Sequence, residues 1–170
     1  MGGDVSGWVR RFAPLMAEGG TVLDVACGAG RHARWLLERG YRVVAVDVDV
    51  AGVADLVGHP RVEIVEADLQ DGRCFPLRGR RFDGVVVTRY LHRPILPDLV
   101  GAVAPGGVLV YETFAWGNEC FGRPANPDFL LWPGELLDAV RGELRVVAYE
   151  DLVVAEPHPA AVQRICARRP

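Results

Sequence analysis

Hydrophobic residues cluster in short runs along the chain, and stretches with helical spacing separate these runs. Nearly continuous apolar runs of this length predict buried β-strands, because a strand covered on both faces needs no polar alternation. The predicted strands span 21–26, 41–46, 61–66, 82–88 and 108–114. The predicted helices span 31–39, 51–57, 95–104 and 133–140. Alternation of this kind predicts an α/β fold with a mostly parallel sheet and helices on both faces.

The two ends of the chain complete this pattern. Apolar residues recur at three- and four-residue steps over 6–17, which predicts a leading helix, kinked by a proline, within residues 1–20. Two final strands are predicted over 143–154 and 160–167. No helix separates them, so one of the two should run antiparallel to the rest of the sheet.

The composition fits one domain over residues 1–170, since no linker, repeat or low-complexity tract divides the chain. Hydrophobic residues make up 50% of the sequence, which suffices for a substantial core. No apolar run approaches the roughly 18 residues that a membrane helix needs, and no secretory signal is visible. The four cysteines lie far apart, so we expect free thiols, no metal site and a cytoplasmic location.

Charge limits the partners and the chemistry. The formal net charge is −3 at pH 7, which argues against a broad nucleic-acid surface. Every basic side chain other than histidine is arginine, because the sequence contains no lysine. Lysine bases and Schiff-base lysines are therefore excluded.

The most informative stretch runs from Thr21 to His32, as a short strand, a glycine turn and the start of a helix. Gly28 and Gly30 let the backbone turn sharply and let a ligand approach without an intervening Cβ atom. The N–H groups at the helix start favour an anionic group, since this helix end carries a partial positive charge. Both a dinucleotide and S-adenosylmethionine (SAM) could bind such a turn.

Three aspartates distinguish these two ligands. Asp24 lies inside the end of strand one, where it would repel a pyrophosphate but complement the ammonium group of SAM. Asp47 ends strand two and suits the ribose hydroxyls, and Asp68 follows strand three, where it can accept from an adenine amino group. Parallel strands end at one edge of the sheet, so the three acids should line one crevice. Each acid alone could equally cap a turn or be a solvated loop residue.

The motifs around these residues resemble those of class I SAM-dependent methyltransferases. Residues 22–31, V-L-D-V-A-C-G-A-G-R, resemble motif I, apart from Ala26, where the family often has glycine. The sequence also resembles other motifs of the family, at Val44–Asp47, Glu66–Leu69, Phe82–Val87 and Val103–Gly107. The resemblance covers nearly the whole chain and implies a three-layer Rossmann-like sandwich, with seven strands in the order 3-2-1-4-5-7-6 and strand 7 antiparallel. Gly28–Arg31 and Phe129–Leu136 are similar to the small tellurite-resistance branch.

The resemblance implies SAM as the cofactor and S-adenosylhomocysteine (SAH) as its product. Besides the three aspartates, the residues expected to contact the cofactor follow strands one to four. They are Ala26, Cys27, Gly28, Gly30, Arg31, His32, Val48, Ala67, Leu69 and Thr88. We interpret His32 as a donor at the helix start rather than as a catalyst.

The methyl acceptor should lie beyond strand four, where Arg89, Tyr90 and His92 are the candidate catalytic residues. The arginine could hold an anion, the tyrosine could pack against the sulfonium, and the histidine could take a proton. His92 could equally make only a hydrogen bond at the start of the next helix. No Asn-Pro-Pro-aromatic motif follows this strand, which argues against methylation of adenine bases.

An aromatic loop over 115–132 follows strand five and is longer than most connections. Aromatic side chains mixed with a few polar groups are typical of a small-molecule pocket, so we interpret the loop as substrate-side. It could also be a structural cover over a strand edge. The candidate substrate-side residues are Arg93, Phe114, Trp116 and Arg123.

The sequence therefore predicts a methyltransferase that moves a methyl group from SAM to a small-molecule acceptor by in-line displacement. The arginines near strand four favour an anionic acceptor. The alternatives are a non-catalytic SAM-binding module and, with less support, an NAD-linked oxidoreductase. Monomer and homodimer are both left open, and neither a nucleic acid nor a membrane is an expected partner.

Overall fold

A seven-stranded sheet forms the centre of the computed structural model, which describes residues 4–170. The strands are β1 (Thr21–Val25), β2 (Arg42–Asp47), β3 (Val62–Glu66), β4 (Phe82–Thr88), β5 (Val103–Phe114), β6 (Arg145–Val154) and β7 (Ala160–Arg168). Their order in the sheet is β3-β2-β1-β4-β5-β7-β6. The pairs from β3 to β5 are parallel, whereas β7 is antiparallel to β5 and β6. The predicted fold class, strand order and antiparallel strand 7 are confirmed.

Helices cover both faces of this sheet. They are α1 (Gly7–Phe12), α2 (Arg31–Glu38), α3 (Leu96–Gly101) and α4 (Glu135–Val140). Residues of α1 and α2 pack into one hydrophobic cluster, and residues of α3 and α4 pack into another on the opposite face. The sheet is thus the middle of three layers, as predicted. No helix over residues 4–170 has both the length and the apolar character that a membrane crossing needs.

The helices predicted over 95–104 and 51–57 differ from the structure. The helix expected over 95–104 ends at Gly101, and β5 already begins at Val103. The register between β4 and β5 shifts early in β5, because the Pro-Gly-Gly turn at 105–107 interrupts the pairing. Residues 51–56 form a 3-10 helix rather than an α-helix. Other 3-10 turns lie at Ala13–Leu15, Arg93–Ile95, Asn118–Cys120 and Pro127–Phe129.

The leading helix docks on the sheet through a buried tryptophan. Trp8 Nε1 donates to the carbonyl oxygen of Ile165 in β7 at 3.0 Å, and the Trp8 ring packs edge-on against Phe12. Ser6 caps α1, since its Oγ accepts from Trp8 N at 3.1 Å. The helix ends at Phe12 and continues as a 3-10 turn, so it is shorter than the helix expected over 6–17.

Burial explains why the central strands are nearly continuous apolar runs. Every residue of β1 after Thr21 is buried, and β4 is buried over most of its length. Asp24 is the polar exception inside β1 and is 1% exposed. Burying an ionised carboxylate is costly unless the charge is compensated. Asp24 therefore places a carboxyl group inside the apolar core.

Gln163 in β7 joins the sheet to α4 through buried hydrogen bonds. Substituting it measures how much these bonds contribute to stability. Its Oε1 accepts from Leu136 N at 2.8 Å, and its Nε2 donates to the carbonyl oxygen of Trp132 at 3.0 Å. Gln163→Leu keeps the approximate volume but leaves both backbone groups unpaired. We expect the free energy of unfolding to fall by about 1–3 kcal/mol, measured by urea denaturation.

Gln70→Leu is the matched control, because it makes the same chemical change at an exposed glutamine. Its free energy of unfolding should change by less than about 0.5 kcal/mol. Equal losses in the two variants would mean that the hydrogen bonds of Gln163 contribute nothing specific to the fold.

Candidate active site

The turn between β1 and α2 folds tightly against β2. Cys27 N donates to the carbonyl oxygen of Val46 at 3.1 Å, and Gly30 N donates to that of Cys27 at 2.9 Å. Gly28 and Gly30 have φ values of +53° and +72°. A Cβ atom on Gly30 would lie 2.4 Å from Cγ1 of Val53, whereas one on Gly28 would meet no atom within 4 Å. The turn is therefore packed at Gly30 and open at Gly28.

Backbone strain is concentrated at two residues that follow strand ends. Over residues 4–170, the non-glycine residues with positive φ are Ala26 at +52°, beside the turn, and Arg89 at +54°, after β4. The left-handed conformation costs a residue with a Cβ atom about 1–2 kcal/mol. Ala26 stands where the resembled family often has glycine, so this alanine is a larger departure than its small size suggests.

The carboxylate of Asp24 lies close to this turn without full compensation. Its Oδ2 is buried and has no hydrogen-bond partner within residues 4–170. Burial raises the pKa of Asp24 to about 7, while the backbone N–H of Ala33 and the guanidinium of Arg31 act in the opposite direction. A buried carboxylate that lacks a partner gains from a cationic neighbour. The residues present therefore fit the ammonium group of SAM at this position.

Asp47 and Asp68 continue the row of acids across β2 and β3. Asp47 Oδ2 accepts from Gly28 N at 2.7 Å, and its Oδ1 accepts from Asp49 N at 3.1 Å. Asp68 Oδ1 accepts from Gln70 N at 2.8 Å. Each carboxylate keeps further lone pairs for hydroxyl or amino groups of a ligand. Because β3, β2 and β1 are neighbours, the three acids lie on adjacent strands or directly after them.

Three apolar or small residues that we predicted as cofactor contacts accompany these acids. Val48 follows Asp47 and is 61% exposed, which is unusual for an apolar side chain next to a buried strand. Ala67 N donates to the carbonyl oxygen of Asp47 at 2.9 Å. Leu69 is buried. The edge of β2 and β3 thus offers an apolar surface next to two carboxylates.

His32 is a buried hydrogen-bond acceptor rather than the helix-start donor that we expected. Its Nε2 accepts from Ser6 N at 3.2 Å, so the ring proton lies on Nδ1, which is 3.4 Å from Thr88 Oγ1. Burial lowers the pKa of His32 to about 4, and the nearby charges of Arg31 and Arg89 act in the same direction. His32 is therefore neutral near pH 7 and connects the N-terminal segment to the end of β4.

The three candidate catalytic residues after β4 take different positions. Burial raises the pKa of Tyr90, the side chain of Gln70 acts in the opposite direction, and the carboxylates of Asp68 and Asp47 add to the rise. Tyr90 therefore lies on the side of the cofactor acids. Its hydroxyl is buried without a hydrogen-bond partner within residues 4–170. The side chain of His92 makes no capping hydrogen bond to the turn that follows it. Arg89 is exposed and faces a cavity.

This cavity has a volume of about 750 Å³ and lies beside the glycine turn. Arg31 and Arg89 belong to its wall next to the turn. Phe114 and Arg123, two of the four residues that we predicted to lie on the substrate side, also line it. Its other walls come from 4–7, 112–114, 118–123, 154–160 and 162–164. Tyr90, His92 and the three aspartates are outside its lining.

The other two predicted substrate-side residues lie elsewhere. The guanidinium of Arg93 donates to both carboxylate oxygens of Glu135, at 2.7 and 2.9 Å, and to the carbonyl oxygen of Leu130 at 2.8 Å. Arg93 thus ties the end of the aromatic loop to the turn after β4. Trp116 stacks on Trp132, with ring centroids 4.7 Å apart, and neither ring lines the cavity.

Glu112 and Arg164 also line this cavity, although no sequence pattern indicated either residue. Glu112 Oε1 accepts from Ser6 Oγ at 2.7 Å, and its Oε2 accepts from Arg164 Nη1 at 3.0 Å. Arg164 also donates to Glu150 at 2.7 Å and lies over the ring of Trp8. The pairing of Glu112 with Arg164 follows from the register between β5 and β7, which no local pattern specifies.

No group of three or more His, Cys, Asp or Glu side chains within residues 4–170 is arranged to hold a metal ion.

Comparison with known proteins gives a family and a fold. Residues 22–107 match the protein family described as "Methyltransferase domain". The tRNA U34 carboxymethyltransferase of Methylococcus capsulatus is 34% identical over 129 residues, which cover 69% of this chain and 38% of that protein. The dTDP-3-amino-3,4,6-trideoxy-alpha-D-glucopyranose N,N-dimethyltransferase of Streptomyces venezuelae is 30% identical over 128 residues, covering 69% and 51%. The chain thus spans no more than about half the length of these relatives.

A solved structure supports the same fold. The crystal structure of TehB from Haemophilus influenzae superimposes with a TM-score of 0.77 at 18% identity, covering 98% of this chain and 63% of TehB. At this level of identity, the likeness concerns the fold.

The strain at Ala26 predicts that glycine stabilises this position. Ala26→Gly removes a cost of about 1–2 kcal/mol and adds about 0.5–1 kcal/mol of chain entropy. We expect the free energy of unfolding to rise by up to about 1 kcal/mol in urea denaturation.

Ala29→Gly is the control, because Ala29 lies in the same turn but does not have a positive φ. It should lose about 0.5–1 kcal/mol, since only the entropy term applies. A loss of stability in both variants would contradict the assignment of strain to Ala26.

The raised pKa of Asp24 predicts a pH dependence of stability. The folded state holds the proton up to about pH 7, whereas the unfolded chain releases it near 3.8. Stability from this group is therefore complete below about pH 4 and is lost as the pH rises through 7, by up to about 4 kcal/mol. Urea denaturation between pH 5 and pH 8 should show this decline in the wild-type protein.

Asp24→Asn should remove most of this decline, because asparagine does not titrate. Asp49→Asn, at an exposed aspartate, should leave the wild-type slope unchanged. Parallel pH profiles for wild type and Asp24→Asn would show that the Asp24 pKa is not raised.

Proposed function

This chain belongs to the class I SAM-dependent methyltransferases, and we propose that it transfers a methyl group from SAM to a small anionic acceptor and releases SAH. One observation carries the proposal. The row of acids at the strand ends adjoins the cavity that is lined by arginines. Arg31 connects the two, because its charge opposes the rise of the Asp24 pKa and its side chain lines the cavity.

The proposed cofactor contacts follow from the chemistry of each residue. Asp24 would hold the ammonium group, Asp47 the ribose hydroxyls and Asp68 the adenine amino group. Val48 and Leu69 would contact the adenine ring, and the open backbone at Gly28 would lie along the ligand. Arg31 uses two of its donors on Thr88 and Asp4, so it has others available for the cofactor carboxylate.

The protein's part in the reaction is alignment. When bound, SAM supplies a methyl group that its sulfonium has already activated. Holding two reactants in line can contribute about 7–11 kcal/mol toward the barrier. Arg89 stands at the end of β4, and its N–H donates to the carbonyl oxygen of Glu112 at 2.9 Å. This contact fixes the backbone that would orient the acceptor.

A small acceptor is supported by the shape and charge of the site. The cavity of about 750 Å³ falls within the range of ligand pockets. One relative, by its name, acts on a dTDP-linked amino sugar, whereas the net charge of −3 gives no broad cationic surface for RNA. We also propose a cytoplasmic location, which the four free cysteines support, and both a monomer and a homodimer fit the proposal.

Asp47→Ala tests the cofactor site. The change removes the partner of Gly28 N and the proposed partner of the ribose, and hydrogen bonds to a charged group contribute about 1.5–3 kcal/mol each. We expect SAH binding, measured by isothermal titration calorimetry, to weaken by at least about a hundredfold. Asp138→Ala, at an exposed residue of α4, should bind SAH as the wild type does.

Folded wild-type protein that binds neither SAM nor SAH would overturn the proposal. Binding of SAM without SAH release across thiols, amines, carboxylates and metalloid oxyanions would instead favour the non-catalytic module. An increase of NADH fluorescence on mixing would favour the oxidoreductase.

A further inference from the structure

The four arginines of the cavity differ in their hydrogen-bond partners. Arg31 donates to the carbonyl oxygen of Asp4 and to Thr88. The positive charge of Arg164 is compensated, since its guanidinium donates to the carboxylates of Glu112 and Glu150. Arg89 and Arg123 also line the cavity, but within residues 4–170 their guanidinium groups have no hydrogen-bond or ion-pair partner. Unpaired guanidinium groups that face one cavity are suited to a carboxylate or another planar anion.

The cavity is larger and more apolar than an inorganic anion needs. Its volume of about 750 Å³ is that of a site for a drug-sized organic molecule. Apolar side chains from four different segments line it together with the arginines. They are Phe114, Phe121, Val154, Pro157, Pro159 and Val162. An acceptor that fills this space has an apolar body as well as an anionic group.

The partly buried acid of the cavity wall is already engaged in hydrogen bonds. Glu112 already accepts from Ser6 and Arg164. His32 lies outside the lining and is neutral, with both ring nitrogens engaged. The remaining acid–base groups of the lining, Asp4, Glu156 and His158, are exposed and belong to the N-terminal segment and the 154–160 hairpin. A hydroxyl or ammonium acceptor at Arg89 would have to lose its proton, whereas a carboxylate is already ionised at pH 7.

We propose that the acceptor is an organic carboxylate with an apolar body, held by Arg89 and Arg123, and that its carboxylate oxygen receives the methyl group. This inference rests on the proposed function. A carboxylate oxygen forms a bond to the methyl carbon, and the bond from that carbon to sulfur breaks. The sulfur keeps the electron pair and becomes the neutral thioether of SAH. The product is a methyl ester, and no proton has to be moved.

Binding to the SAH-loaded protein gives the first test. The probes are 3-phenylpropionate, indole-3-acetate and octanoate, each with its neutral amide, together with inorganic selenite, measured by titration calorimetry. We expect at least one carboxylate to bind at least about tenfold more tightly than its amide. Arg89→Gln and Arg123→Gln should each weaken that binding at least about tenfold while leaving SAH affinity within about twofold. Arg73→Gln, at an exposed arginine, should change neither.

The nature of the product gives the second test. Transfer of labelled methyl from SAM to the carboxylates should yield label that mild alkali releases as methanol, as expected for an ester. Alkali-stable label, equal binding of amides and carboxylates, or binding of selenite alone would overturn this inference. Those outcomes leave the proposed function standing as long as SAH binds, whereas failure to bind SAH would refute the proposed function itself.

Discussion

The partly uncompensated carboxylate of Asp24 is the constraint on which the site depends. It lies in the fully buried part of β1, where an apolar residue would stabilise the core, and its Oδ2 lacks a partner in the described chain. Two strained residues stand nearby, Ala26 after β1 and Arg89 after β4. Strained backbone and an unpaired buried charge both lower stability, and the surrounding sheet must offset them. Together they place polar groups and a sharply turned backbone at the ends of two largely buried strands.

The backbone pairing of the sheet around this edge offsets the loss of stability at these residues. β1 lies between β2 and β4, so its backbone is paired on both sides up to Val25. Asp47 strengthens the turn itself, because its carboxylate accepts from Gly28 N. A carboxylate that first orders the turn still has lone pairs for a ligand. In the proposed cofactor site, Asp47 would therefore serve both stability and recognition, whereas Asp24 would contribute to recognition at the expense of stability.

Local pattern was enough to predict the strands and the acids at their ends, because both depend on neighbours in the sequence. The order of the strands came from the family resemblance instead. It failed where long-range packing decides. Nothing near Arg93 indicates that Glu135 will hold its guanidinium, and nothing near Trp116 indicates that Trp132 will stack on it. His32 likewise depends on Ser6, which is 26 positions away. Arginines near a strand end can be identified from sequence, but only the fold shows which of them are already paired.

The N-terminal segment connects the two halves of the site. Ser6 N donates to His32, which follows the glycine turn, while Ser6 Oγ donates to Glu112, which lines the cavity. Arg31 donates to the carbonyl oxygen of Asp4 and touches Thr88 at the end of β4. The turn and the cavity thus share a common wall, and a displacement of this segment would change both. Glu112 also accepts from Arg164, so the charge of this arginine is compensated, whereas Arg89 and Arg123 face the cavity without a partner within residues 4–170.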